Sequence, residues 1–201
     1  MTEHRRSAAR REAILQAALA CFTEHGVEAT SIEMIRERSG ASTGSLYHHF
    51  GSKEAIAATL FIQGLKDYAD RLIGGLQTRP DARDGIRWMV TSYIDWILDN
   101  PDWARYIFTA RGQVIRGEAQ AQLQANNQVQ FTALKAWMTP HIQNGTLPKL
   151  PMGIYHALVN GPVQDYCRSW LAGRVKESPR DVETLFADAA WRSVSGLLTG
   201  S

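Results

Sequence analysis

The chain has 201 residues, 44% of them hydrophobic and 21% charged, with 22 Lys and Arg against 20 Asp and Glu. That length fits one large or two small domains with a sizeable core, and six tryptophans exclude a largely disordered chain. A net charge of +2 excludes a uniformly basic nucleic-acid sponge, so any such binding must come from local placement of charge.

Helical signals run from end to end, with no sustained alternation of β-branched residues, and predict an all-α fold. A first helix is expected from about Arg6 to His25, with Ile14, Ala18 and Phe22 at i, i+4, i+8 as its buried stripe and Gly26 as its stop. Behind Arg5, Arg6, Arg10 and Arg11, the run Ala13 to Phe22 has the outline of a secretory signal. Glu12, Gln16 and the helical stripe favour an amphipathic helix instead. Thr30-Ser31-Ile32-Glu33 reads as a capping box with Thr30 as the cap, opening a helix that Gly40 ends. Ser42 caps a very short helix, Thr43 to His49, and Ser52 caps the next, to about Leu76.

Further on, Asp81 opens a fifth helix to about Asp99, and Asn100-Pro101 a sixth to about Arg111. A polar seventh helix is expected from about Glu118 to Thr139, then a loop from Pro140 to Pro151. The eighth, Met152 to Gly173, carries a kink at Gly161-Pro162, and Ser178-Pro179 opens the ninth, ending near Thr199. All six tryptophans lie after the fourth helix. The shift divides the chain into a small module, residues 1–53, and a larger aromatic-rich domain, residues 54–201.

Two short helices joined by a glycine-containing turn form a helix-turn-helix, which holds its second helix out towards a major groove. Leu46 and Phe50 are the side that helix must bury; Ser42, Thr43, Gly44, Ser45, Tyr47, His48 and His49 are small or polar groups suited to backbone approach and hydrogen bonding. The spacing Arg11-Glu-Ala-Ile-Leu-x-Ala-Ala, Phe22, Gly26, Thr30-Ser31-Ile32, Ile35, Gly40-Ala-Ser42-x-Gly44-x-Leu46-Tyr47-x-His49-Phe50-x-Ser52-Lys53 resembles the DNA-binding domain of the TetR (tetracycline-repressor) family. The remainder resembles that family only in its order of helices.

The resemblance implies that Thr43, Gly44, Ser45, Tyr47 and His48 read the groove. It also implies that Thr30 and Lys53 hold phosphates with help from Tyr47 and His49, Ser31 and Ser42 completing the DNA-facing set. Arg36 stands where the family has a small residue, so its guanidinium must snorkel or find a partner. Residues 1–53 hold seven Lys and Arg against six Glu. The module can bind DNA only if the acids face away, with Arg5, Arg6 and Arg10 on the N-terminal arm placed for phosphates or the minor groove.

By the same resemblance the protein is a homodimer on a near-palindromic double-stranded operator, most often a repressor, released by a small, largely apolar effector. Trp88, Tyr93, Trp96, Trp103, Tyr106, Phe131, Tyr166 and Trp170 are the candidate pocket lining. Asp95, Asp99 and Asp102 beside Arg105 and Arg111 leave the effector's charge open. Leu185, Ala189, Val194 and Leu197 are the candidate dimer surface on the last helix. No cofactor or metal is expected: His48 and His49 point about 100° apart on a helix, and no carboxylate or thiol completes a set. No nucleophile elbow, phosphate loop or zinc helix suggests an enzyme. Cys21 and Cys167 make no disulfide framework and no apolar run is long enough for a membrane span, which fits the cytoplasm. The alternative is a helical protein-interaction or architectural protein without ligand control.

Overall fold

A computed structural model describes residues 3–114 and 117–198, and all regular structure among them is helical. The helices are α1 Glu3–Ala29, α2 Ile32–Ser39, α3 Thr43–Phe50, α4 Lys53–Gln77, α5 Ala82–Asp99, α6 Pro101–Val114 and α7 Gly117–Gln143. Then α8 starts as Met152–Tyr155, widens into a π-turn at His156–Asn160 and continues as Gly161–Leu171. Finally α9 spans Glu183–Ser195, with a 3₁₀ turn at Gly196–Leu198. They form two compact units: residues up to Leu65 with Asp102–Ala125, and Lys66–Pro101 with the residues from Asn126 on.

The first unit is built on the stripe legible in α1. Ile14, Ala18 and Phe22 are buried with Ile35 of α2, Leu46 of α3, Ile56 and Leu60 of α4, and Tyr106 of α6. Phe22 and Tyr106 stack with centroids 5.7 Å apart, and the Tyr106 hydroxyl donates to the Ala57 carbonyl at 2.7 Å. Gly26, at φ 79°, turns the chain out of α1 for one further turn, and Gly40, at φ 65°, ends α2; both need the left-handed region that a Cβ disfavours.

The second unit centres on α5, whose Ile86, Val90, Ile94 and Ile97 are buried. α9 lies along α5 with Ala187, Ala190 and Val194 inward. The small alanines permit close approach, and ion pairs Arg87–Asp188 and Arg180–Asp95 (2.6 Å) join the two helices' flanks.

Four expectations are corrected. The cap of α2 is Ser31, whose hydroxyl accepts from the Met34 amide at 3.2 Å; Thr30 is buried, its hydroxyl donating to the Gly26 carbonyl at 2.7 Å. α7 runs through Pro140 to Gln143 because buried His141, its ring tilted against that of Trp137 with centroids 4.6 Å apart, and buried Met138 hold the last turn against the core. Ser178-Pro179 opens a turn rather than a helix: the Ser178 hydroxyl accepts from the Arg180 amide and Asp181 accepts from the Ser178 amide, so α9 starts only at Glu183. The expected kink in α8 is a π-turn. Pro162 has no N–H to return to Leu158, the Gly161 amide bonds back to the His156 carbonyl, and the Ser193 hydroxyl takes the Leu158 carbonyl at 3.5 Å. The expected end near Thr199 lies outside the described residues.

Candidate functional site

α3 is two turns long and anchored by one buried side chain, Leu46, 1% exposed. Ser42 caps it, accepting from the Ser45 amide at 3.2 Å, and Gly51 closes it. Its outer side carries exposed Thr43, Gly44, Tyr47 and His48, with Ser45 and His49 half-buried. The Tyr47 ring is 52% exposed, which an apolar ring on a short helix does not adopt for packing. A Cβ at Gly44 would meet nothing, so this side is open to a close approach. Beside Tyr47 lies a hollow lined by Thr30, Ser31, Ile32, Ser52 and Lys53 and by the carboxylate-bearing Glu28 and Glu54. The N-termini of α2 and α4 open there, and their amide groups suit an anion.

Charge on this unit is sorted by pairing. Arg38 forks onto Glu24 at 2.7 and 2.6 Å, and its guanidinium holds the Glu24 carboxyl below the usual carboxylate range. Arg36, the departure from the family pattern, donates to Glu33 at 2.8 Å through Nε and stays on the surface. Arg11 lies 5.1 Å over the Phe50 ring, tying α1 to α3. Arg5, Arg6 and Arg10 are exposed and have no ion partner among the described residues, so they carry the uncompensated positive charge. Three of the acids that made the module nearly neutral, Glu24, Glu33 and Glu37, are thus tied to its own arginines.

Two expected phosphate ligands are engaged inside. Thr30 is 1% exposed, and its hydroxyl serves the Gly26 and Cys21 carbonyls. Lys53 Nζ donates to the carbonyls of Val27 (2.8 Å), Glu28 (3.2 Å) and Thr30 (2.8 Å), the groups left without helical donors where Gly26 breaks α1. An ammonium has three N–H donors, so none is left for a phosphate in this arrangement. Sequence patterning could not show this, because it depends on α4 returning to the end of α1.

The aromatic set is used differently from expectation. Trp103 and Tyr106 belong to the first unit; the Trp103 indole N–H donates to the Leu60 carbonyl at 2.9 Å, over Gly64. In the second unit Trp88 donates to Leu72 at 3.0 Å and Trp96 to Asp67 at 2.8 Å. Tyr93 is buried at 5.3 Å from the Tyr68 ring, and Tyr166 packs on Phe186 while donating to the Glu177 carbonyl at 3.0 Å. Trp170 is half-buried near the end of α8. The acids left open for a charged effector are paired as well, Asp95 with Arg180, Asp99 with Arg71 and Asp102 with Arg105.

An apolar cavity of about 340 Å³ does lie in the second unit, between α5, α7 and α8. Of the expected lining only Phe131 faces it; Met89, Leu134, Met138, Met152, Val159 and Asn160 were missed, since they are scattered over three helices with no local signature. On α9, Leu185 (62% exposed), Ala189 and Leu197 (49%) face outward, as a dimer surface requires. Val194 does not: it falls on the inward stripe with Ala187 and Ala190 and is fully buried. Burial pushes the Cys167 thiol up to about 12, which removes the thiolate a redox sensor needs. No group of three or more metal-ligating residues and no helix long and apolar enough to cross a membrane occurs among the described residues.

Comparison with known proteins places this geometry. The sequence profile of the family described as "Bacterial regulatory proteins, tetR family" matches residues 14–60. The transcriptional repressor KstR2 of Mycolicibacterium smegmatis is 40% identical over 70 residues, 35% of this chain and 32% of that protein. The chain thus matches about a third of the length of this curated relative. A TetR family transcription regulator from Marinobacter aquaeolei superposes with a TM-score of 0.77 at 22% identity, covering 95% of this chain and 98% of the other. FadR from Bacillus subtilis, solved in complex with stearoyl-CoA, gives 0.74 at 15% identity, covering 90% and 98%.

Proposed function

From a chain that belongs to the TetR family through its DNA-binding domain, we propose a homodimeric transcriptional repressor of the cytoplasm, released from a near-palindromic operator by a small, largely apolar effector. The observation that carries this reading is α3 itself: one buried leucine, an outer side of Thr43, Gly44, Ser45, Tyr47 and His48, and unpaired Arg5, Arg6 and Arg10 on the same unit. The relative KstR2 is a repressor, and FadR, of the same fold, binds stearoyl-CoA; both support an effector-controlled regulator.

Selection from a random duplex pool is expected to return two half-sites about one helical turn apart. On that operator Tyr47→Ala should weaken binding about tenfold or more on specific and random DNA alike, while Ser45→Ala should change base preference at one position per half-site. Unchanged operator affinity in Tyr47→Ala overturns the assignment of α3.

Dimerisation rests on the outward face of α9. Leu185→Glu should shift the protein to monomer at micromolar concentration and lower operator affinity, because a single half-site contact remains. Sedimentation equilibrium reads the first effect and a gel shift the second; a dimer as tight as the parent's excludes α9 from the interface.

A further inference from the structure

The cavity between α5, α7 and α8 offers apolar bulk and no counter-charge. Its walls are Phe131, Leu134, Val159 and three methionines, one from each helix: Met89 of α5, Met138 of α7 and Met152 of α8. Unbranched thioether chains adapt to the outline of whatever lies against them. No Asp, Glu, Lys or Arg lines it. Its polar members have little to give a ligand inside. The Tyr155 hydroxyl donates to the Pro148 carbonyl at 2.5 Å, and Asn160 Oδ1 has almost no accessible surface, which puts it out of reach.

The cavity is open on one side. Phe131 (42% exposed) from α7, with Gly153 and His156 from α8, line it and also reach water, so the mouth lies between those two helices. A charged group drawn past that mouth would lose its hydration with no counter-ion to replace it, whereas one left at the mouth would not. Capacity sets the other limit. An apolar cavity of about 150 Å³ holds one benzene ring, so the 340 Å³ here accommodates on the order of 12 carbon atoms.

We propose that this cavity binds a single-headed amphiphile, taking in a hydrocarbon body of up to about 12 carbons and leaving the polar head in water at the mouth. The size of the body, not the charge of the head, then decides affinity. This deepens the effector reading above and rests on it only for the consequence on DNA, since binding is measured on the DNA-free protein.

The test is calorimetric titration of the full chain with the n-alkanoates from hexanoate to hexadecanoate, each below its micellar concentration. Decanoate, 1-decanol and decyltrimethylammonium then compare heads on one chain. Each added pair of methylenes should tighten binding about tenfold up to a chain of about 12 carbons and bring no further gain beyond it. The three decyl probes should agree within about fivefold, and His156→Ala, at the mouth, should leave that agreement in place. Met152→Ala enlarges the cavity and should move the end of the gain to longer chains. Leu134→Trp fills part of it and should move that end to shorter ones, with helicity followed by circular dichroism in both variants. Affinity that ranks the decyl probes by charge, a gain that continues to hexadecanoate, or an end point unmoved in both cavity variants overturns the proposal. If the chains bind as expected yet leave operator affinity unmoved, the site stands and the reading of it as an effector switch fails.

Discussion

Alanine at Gly75 is expected to destabilise the protein by about 2–4 kcal/mol, whereas alanine at the neighbouring Gly74 should stabilise it by about 0.5–1 kcal/mol. Both glycines lie in α4, and on propensity alone both substitutions favour the helix. What separates them is the indole of Trp88. A Cβ on Gly75 would fall inside the ring, while one on Gly74 would meet nothing. The ring cannot move aside cheaply: its N–H is bonded to the Leu72 carbonyl, and Arg79 lies 3.8 Å over its face. Displacing it adds overpacking strain and leaves both groups to find new partners. Urea unfolding of the two variants reads the difference directly. Equal effects would mean that the Trp88–Gly75 contact contributes nothing to stability.

The same device recurs. Trp137 donates to the Arg79 carbonyl over Gly85, and Trp103 to the Leu60 carbonyl over Gly64, where a Cβ would come within 2.6 Å of the indole nitrogen. Three tryptophans therefore join helices within their own units, each seated on a glycine. An aromatic-rich stretch read from sequence alone suggests a pocket, because the glycine partner lies 13 to 52 positions away from its ring and on another helix. The observed cavity instead uses methionines and one asparagine on α5, α7 and α8, whose convergence no local period announces.

Local features were legible for the opposite reason. The Ile14, Ala18, Phe22 stripe, the glycine stops at 26 and 40 and the Ser42 cap each depend on neighbours within a turn or two, and each is present. Where two local signals compete, tertiary burial decides. Thr30 and Ser31 are both good caps; the core takes Thr30, whose methyl and hydroxyl can both be satisfied inside, and leaves the cap to Ser31. Pro140 was a plausible stop, but Met138 and His141 on either side of it are buried, and their packing outweighs one lost amide bond.

Lys53→Met is expected to lower stability by about 2–3 kcal/mol and to weaken operator binding, while leaving its salt dependence unchanged. In the fold its ammonium gathers the Val27, Glu28 and Thr30 carbonyls, joining the start of α4 to the break in α1. Those carbonyls sit at a helix end, where a cation is also favoured by the dipole. Methionine keeps the length and apolar stem but offers no donor, so the turn leading into α2 loses its anchor and α3 is presented less rigidly. A phosphate ligand would behave differently: removing it lowers the slope of log affinity against log salt by about 0.9, with little change in unfolding. Arg10→Gln supplies that comparison, since Arg10 is exposed and has no ion partner among the described residues. Measured on random duplex DNA, where base readout plays no part, Arg10→Gln should flatten the slope and Lys53→Met should not. A flattened slope with intact stability in Lys53→Met would place its ammonium on the DNA backbone, released from the three carbonyls when the duplex binds.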